Sequence, residues 1–181
     1  MKSAVCIVIA IVASGRLAAA DDVVEDEVED SKHVATYSMS PIHLLLPVVE
    51  LQAELKAHPR IGIALIAGAG RVSDEAKTIT ATAYEVGGQL NFYFLQPFAG
   101  LHLGAEAVYL TVDDVMQNPT VSGQGLSIGA YVGYKVQTSV GFAFIAQGGI
   151  QYMAVEAESS TAMASDSKVG GLLNLNVGWS L

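Results

Sequence analysis

The chain has 181 residues, enough for one domain. Its net charge of −9, from 9 Lys and Arg against 18 Asp and Glu, excludes a nucleic-acid binder, which needs clustered cations to neutralise phosphate. Although 51% of the residues are hydrophobic, no stretch beyond the N-terminus reaches about 18 uninterrupted apolar residues, so no membrane helix is expected.

Residues 1–20, MKSAVCIVIAIVASGRLAAA, have the layout of a secretory signal peptide. Lys2 precedes an apolar run to about Ala13, and Ala18-Ala19-Ala20 offers a small-residue cleavage site. Gly15 and Arg16 break the run, which argues against a retained membrane helix. Cleavage near Ala20 would remove Cys6, the only cysteine. The exported chain is therefore expected to lack disulfides and to draw its stability from packing or from a membrane. Residues 21–31, DDVVEDEVEDS, hold seven acidic residues. Such a run repels itself and buries no core, so a disordered acidic tail is expected.

From Lys32 the texture becomes a period of two, the signature of strands with two unlike faces. Over 49–57, Val49, Leu51, Ala53, Leu55 and Ala57 alternate with Glu50, Gln52, Glu54 and Lys56. Over 60–70, Ile61, Ile63, Leu65, Ala67 and Ala69 alternate with small residues and Ile66. Over 82–95, Tyr84, Val86, Leu90, Phe92 and Phe94 alternate with Glu85, Gln89, Asn91 and Tyr93. Over 101–111, Leu101, Leu103, Ala105, Ala107 and Tyr109 alternate with His102, Gly104 and Glu106. Over 126–137, Leu126, Ile128, Val132 and Tyr134 alternate with Ser127, Gly133, Lys135 and Gln137. Over 142–156, Phe142, Phe144, Ile150 and Tyr152 alternate with Gln147 and Gln151. Over 168–181, Leu173, Leu175, Val177, Trp179 and Leu181 alternate with Asn174 and Asn176.

The connections are tight at 57–60, 96–100 and 138–141, and longer and polar at 73–77, 113–123 and 158–167. Strict alternation of tight and long connections is the habit of up-and-down outer-membrane barrels, with short periplasmic turns and longer outer loops. An exported N-terminus on the periplasmic side then requires one more strand before Pro47, which 33–45 must supply despite Pro41. The expected fold is an all-β, eight-stranded antiparallel up-and-down transmembrane barrel over residues 32–181.

Aromatic positions assign the faces. Tyr84, Tyr109 and Tyr152 fall near the long-loop ends of the apolar face, and Phe92, Phe94, Tyr134, Phe142, Phe144 and Trp179 near the tight-turn ends. The ten residues from Tyr84 to Phe94 span about 25 Å along the normal of a tilted strand, the height of a lipid band. Two aromatic belts suit two bilayer interfaces, whereas a soluble, lipocalin-like barrel gives no reason for them. The opposite face carries Glu50, Gln52, Glu54, Lys56, Glu85, Gln89, Asn91, His102, Glu106, Lys135, Gln147, Gln151, Asn174 and Asn176. Unpaired charge in an apolar core is costly, so these residues are expected to line a polar lumen.

On the signal segment, the alternation of turns and the ending Leu173, Leu175, Val177, Trp179, Leu181, the chain resembles the small eight-stranded outer-membrane barrels of Gram-negative bacteria, of the OmpA-transmembrane-domain and OmpX type. The resemblance covers nearly all of the exported chain. It implies an outer-membrane monomer in contact with lipid and lipopolysaccharide. It also implies that the barrel-assembly machinery reads the last strand, which in this class usually ends on Phe and here ends on Leu181 with Trp179 two positions earlier.

A barrel of eight strands is just wide enough for side chains to fill it. A salt-bridged, filled lumen is therefore expected, with a narrow cation-leaning passage as the alternative. Glu50 and Glu54 lie on one strand face, but no substrate pocket marks them as a catalytic pair. A lipid-modifying barrel enzyme would need His and Ser together near the outer rim, where only His43 and Ser40 qualify. No HExxH, P-loop or CxxC pattern occurs, and no catalytic residue, metal or cofactor is expected. The loop acids Asp113, Asp114, Glu156 and Glu158 read as solvated charge. The expected role is non-enzymatic, in envelope structure or surface interaction. The rival roles are a small-solute pore and a lipid-modifying enzyme.

Overall fold

The computed structural model describes residues 32–45, 48–73, 80–113, 122–159 and 162–181. The expected signal peptide and acidic tail, and most of the connections at 73–77 and 113–123, lie outside the described residues.

Eight strands form one closed antiparallel barrel: β1 Ala35–Met39, β2 Val48–His58, β3 Ile61–Ser73, β4 Thr80–Tyr93, β5 Gly100–Asp113, β6 Ser122–Gln137, β7 Phe142–Ser159 and β8 Ala162–Ser180. Each strand pairs with its sequence neighbours, and β8 returns to β1. The tight connections are those expected, around Pro59, around Pro97 and at 138–141.

Closure is narrow. Only Thr36↔Ser180 through Met39↔Val177 pair β1 with β8. The seam is reinforced by Leu181 N–H donating to Ala35 O at 2.8 Å and by the Thr36 and Ser180 hydroxyls 2.8 Å apart. The first strand is shorter than the 33–45 expected from the sequence. Pro41 has no N–H to continue the ladder, and His43–Leu45 form a short 3-10 turn instead.

A second correction concerns 158–167, expected as a long polar loop. The β7–β8 ladder instead runs on to Glu158↔Met163 and Ser159↔Ala162. Apart from Met163 the sequence of 158–167 is small or polar, so the two-sided signal is lost while the backbone of the described residues still pairs.

The outer face is apolar. Leu65 is 68% exposed, Ile150 66%, Val169 72% and Leu173 60%. The inner face is built by size matching between strands. Tyr131 lies across Gly104 and His102 lies across Gly133, where a Cβ on either glycine would collide with the ring. Large and small residues alternating across a small barrel let its interior fill with side chains.

Candidate functional site

The interior falls into three layers. The one nearest the tight turns is a closed aromatic and charged plug. Lys135 Nζ on β6 donates to Glu54 Oε2 on β2 at 2.8 Å, with both side chains sealed from solvent. The Tyr93 hydroxyl and the Asn91 amide donate to the other Glu54 oxygen at 2.7 and 2.8 Å. The Tyr131 hydroxyl donates in turn to Asn91 Oδ1 at 2.8 Å. Phe98, in the turn around Pro97, is fully buried at φ 59° and sets its ring 3.5 Å from Lys135 Nζ. Phe98 is not among the residues expected from the sequence, because nothing in a Pro-Phe turn signals an inward ring. Tyr93 and Tyr131 shared the inner phase of Asn91 and Lys135, and that parity was the available signal.

Above the plug a belt of amides crosses the lumen. Gln52 Nε2 donates to Gln89 Oε1 at 2.7 Å, and Gln89 Nε2 donates to Glu106 Oε2 at 2.8 Å. Asn174 Nδ2 reaches Glu106 at 3.1 Å and Gln147 Oε1 at 3.2 Å. Asn176 Nδ2 donates to Gln52 Oε1 at 2.6 Å. The buried His102 sits below this belt, its Nε2 3.3 Å from Gln147 Nε2. Strands from opposite walls are thus tied together through the axis.

The third layer, toward the longer connections, holds a cavity of about 400 Å³. Its walls include Ile66, Val108, Leu110 and Leu172, so this part of the inner face is more apolar than the alternation pattern suggested. Polar groups enter at three points. Gln151 takes the Ser127 hydroxyl at 2.8 Å and donates to Gly171 O at 3.2 Å. Glu106 and Asn174 rise from the amide belt. Opposite them stand His43, Glu50 and Glu85.

This last group is assembled by the barrel's register. Glu50 on β2 and Glu85 on β4 both pair with Gly68 on the strand between them. The Glu85 carboxylate lies over that glycine, in space a Cβ would fill. The 3-10 turn after β1 then brings His43 Nδ1 within 2.8 Å of Glu50 Oε2. Glu85 Oε1 is buried without a hydrogen-bond partner. Contact with the Glu50 carboxylate holds the His43 imidazole above its ordinary value, against the downward pull of burial. Ligand atoms of His43, Glu50 and Glu85 all lie within 4.8 Å of one another, which permits shared capture of a cation or a proton.

Of the residues assigned to the lumen, Glu50, Gln52, Glu54, Gln89, Asn91, His102, Glu106, Lys135, Gln147 and Asn176 are buried, and Lys56, Glu85, Gln151 and Asn174 are half-buried. Glu50 and Glu54 belong to different layers and share no partner among the described contacts. The nine aromatics assigned to the belts, Tyr84, Tyr109, Tyr152, Phe92, Phe94, Tyr134, Phe142, Phe144 and Trp179, are exposed on the outer face. The Tyr109 hydroxyl donates to Gln124 Oε1 at 2.9 Å, and Gln124 Nε2 donates to Glu156 Oε2 at 2.8 Å, so the outer surface turns polar beyond the tyrosines. His43 faces the lumen and Ser40 is buried, so that pair does not meet on the outer surface. His58 lies exposed at the β2–β3 turn.

The chain matches no protein-family model, no curated protein and no solved structure.

Proposed function

We propose that this chain is an outer-membrane barrel of a Gram-negative bacterium, of the OmpA-transmembrane-domain and OmpX kind, with a non-enzymatic role in envelope structure or surface interaction. The observation that carries the reading is the inversion of polarity. Leu65, Val86, Ile150, Val169 and Leu173 are each at least 60% exposed outside, while the Lys135 and Glu54 side chains are 0% and 1% exposed inside. In water that arrangement leaves a continuous apolar surface unburied, far beyond the patch a monomer ordinarily shows. In lipid it satisfies the side chains of both faces, and the strands pair in a closed ring.

In this reading residues 1–20 direct export, the tyrosine and phenylalanine belts sit at the two interfaces, and the last strand with Trp179 is what the assembly machinery engages. Lipid and lipopolysaccharide are the surroundings of a monomer. The cross-lumen amide belt argues for a filled barrel rather than a solute path, and the inward-facing His43 and His102 argue against chemistry on the lipid surface.

Expression of the full chain in a Gram-negative host, followed by fractionation and electrophoresis with and without boiling, tests it. The expected result is an outer-membrane band whose mobility shifts on boiling, with the mass of lipid A unchanged. A protein that stays soluble without detergent would overturn it.

A further inference from the structure

We propose that His43, Glu50 and Glu85 form a binding site for a divalent first-row transition-metal ion at the floor of the upper cavity. Three observations converge. The ligand atoms come from three separate elements and lie within 4.8 Å of one another. Glu85 Oε1 is buried beside the cavity with no hydrogen-bond partner, and buried polar atoms ordinarily have one. Gly68, between the two carboxylates, leaves the room they need to meet.

Charge favours the same occupant. One imidazolium cancels only one of two ionised carboxylates, so the group calls for a further positive charge. The neighbouring acid Glu106 is engaged by Gln89 and Asn174, and Lys135 is committed to Glu54 below the amide belt. A divalent cation balances both carboxylates and gives Glu85 Oε1 a partner. Ligands about 2.1 Å from a tetrahedral ion stand about 3.4 Å apart, so Glu85 has only a short swing to close the set. An imidazole nitrogen beside carboxylate oxygens selects zinc-like ions over calcium or magnesium, which prefer all-oxygen cages. The remaining coordination positions face the cavity, open to water or to a small ligand. Binding ties the turn after β1, at the barrel's weakest seam, to β2 and β4.

The test uses the full chain refolded in detergent, stripped of metal and titrated with zinc by calorimetry. We expect one saturable site that a hundredfold excess of calcium does not displace. His43→Ala and Glu85→Gln should each weaken zinc at least tenfold, whereas Glu106→Gln should change it less than twofold. Boiling-sensitive gel mobility shows which variants are folded. Copper bound to the unaltered protein gives a second reading, with hyperfine splitting from a single imidazole nitrogen expected. Absence of saturable zinc binding would overturn the site. So would zinc affinity unchanged in both folded variants, or a copper spectrum without nitrogen coupling.

Discussion

Lys135 and Glu54 face each other across the full width of the barrel, β6 to β2, with 2.8 Å between Nζ and Oε2. These strands lie four places apart in a ring of eight, so the pair braces opposite walls. Removing one partner leaves the other charge buried and uncompensated, which costs about 3–5 kcal/mol. Lys135→Met is therefore expected to lower the urea midpoint of the detergent-refolded protein sharply. Adding Glu54→Gln should recover a substantial part of the loss, because the orphaned carboxylate is then gone. A double variant no better than Lys135→Met would show that the pair does not act as a unit.

Phe98 offers a test in which two effects oppose. Its ring fills the base of the plug against Tyr93 and Lys135, while its backbone holds φ 59°, a region L-residues avoid. Phe98→Ala loses the buried ring at about 3–5 kcal/mol and keeps the strained backbone. Phe98→Gly loses the same ring but relieves about 1 kcal/mol of that strain. The glycine variant is thus expected to be the more stable of the two. The reverse order in thermal unfolding would mean that the turn is not held in the left-handed region.

The amide belt leads to an electrical prediction. Gln52, Gln89, Glu106, Asn174 and Gln147 bond one another across the axis, and Phe98 closes the space below. In planar bilayers the unaltered protein is expected to give no discrete conductance steps. Replacing Gln89 and Gln147 together by Gly removes the centre of the belt and should admit water from the cavity above. Steady steps from the unaltered protein, abolished by Glu106→Gln, would make the lumen a passage.

The barrel was legible because its signal is repeated. Seven segments kept one phase, so the period of two, the alternation of turn lengths and the aromatic positions supported one another. What the sequence concealed is physically distinct in each case. The β7–β8 extension hid because the sequence of 158–167 is small or polar apart from Met163, and pairing there needs no apolar side. The start of the barrel hid behind Pro41 and the 3-10 turn at His43. The apolar upper walls, Val108 and Leu110, continue the inward phase of Glu106 but do not share its polarity. The His43, Glu50 and Glu85 group was invisible for a stronger reason. Its members are brought together by the register of three strands over one glycine, and no local spacing encodes that.

The lipid-facing surface itself can be probed by depth. Leu65 pairs with Gly88, which lies midway between the Tyr84 and Phe92 levels of β4, so Leu65 marks the middle of the apolar band. Val140 lies 69% exposed in the tight turn between β6 and β7, outside that band. Both are exposed aliphatic residues, and in water an arginine at either place would be almost neutral to stability. In a bilayer the two differ, because a cation at the midplane costs about 2–4 kcal/mol and one near the interface about 0–1 kcal/mol. Leu65→Arg is therefore expected to destabilise the barrel in lipid vesicles by at least tenfold more in the folding equilibrium than Val140→Arg. In detergent, where the micelle deforms around the charge, the gap should shrink. Equal effects of the two substitutions in vesicles would remove Leu65 from the lipid, and with it the membrane reading of the outer face.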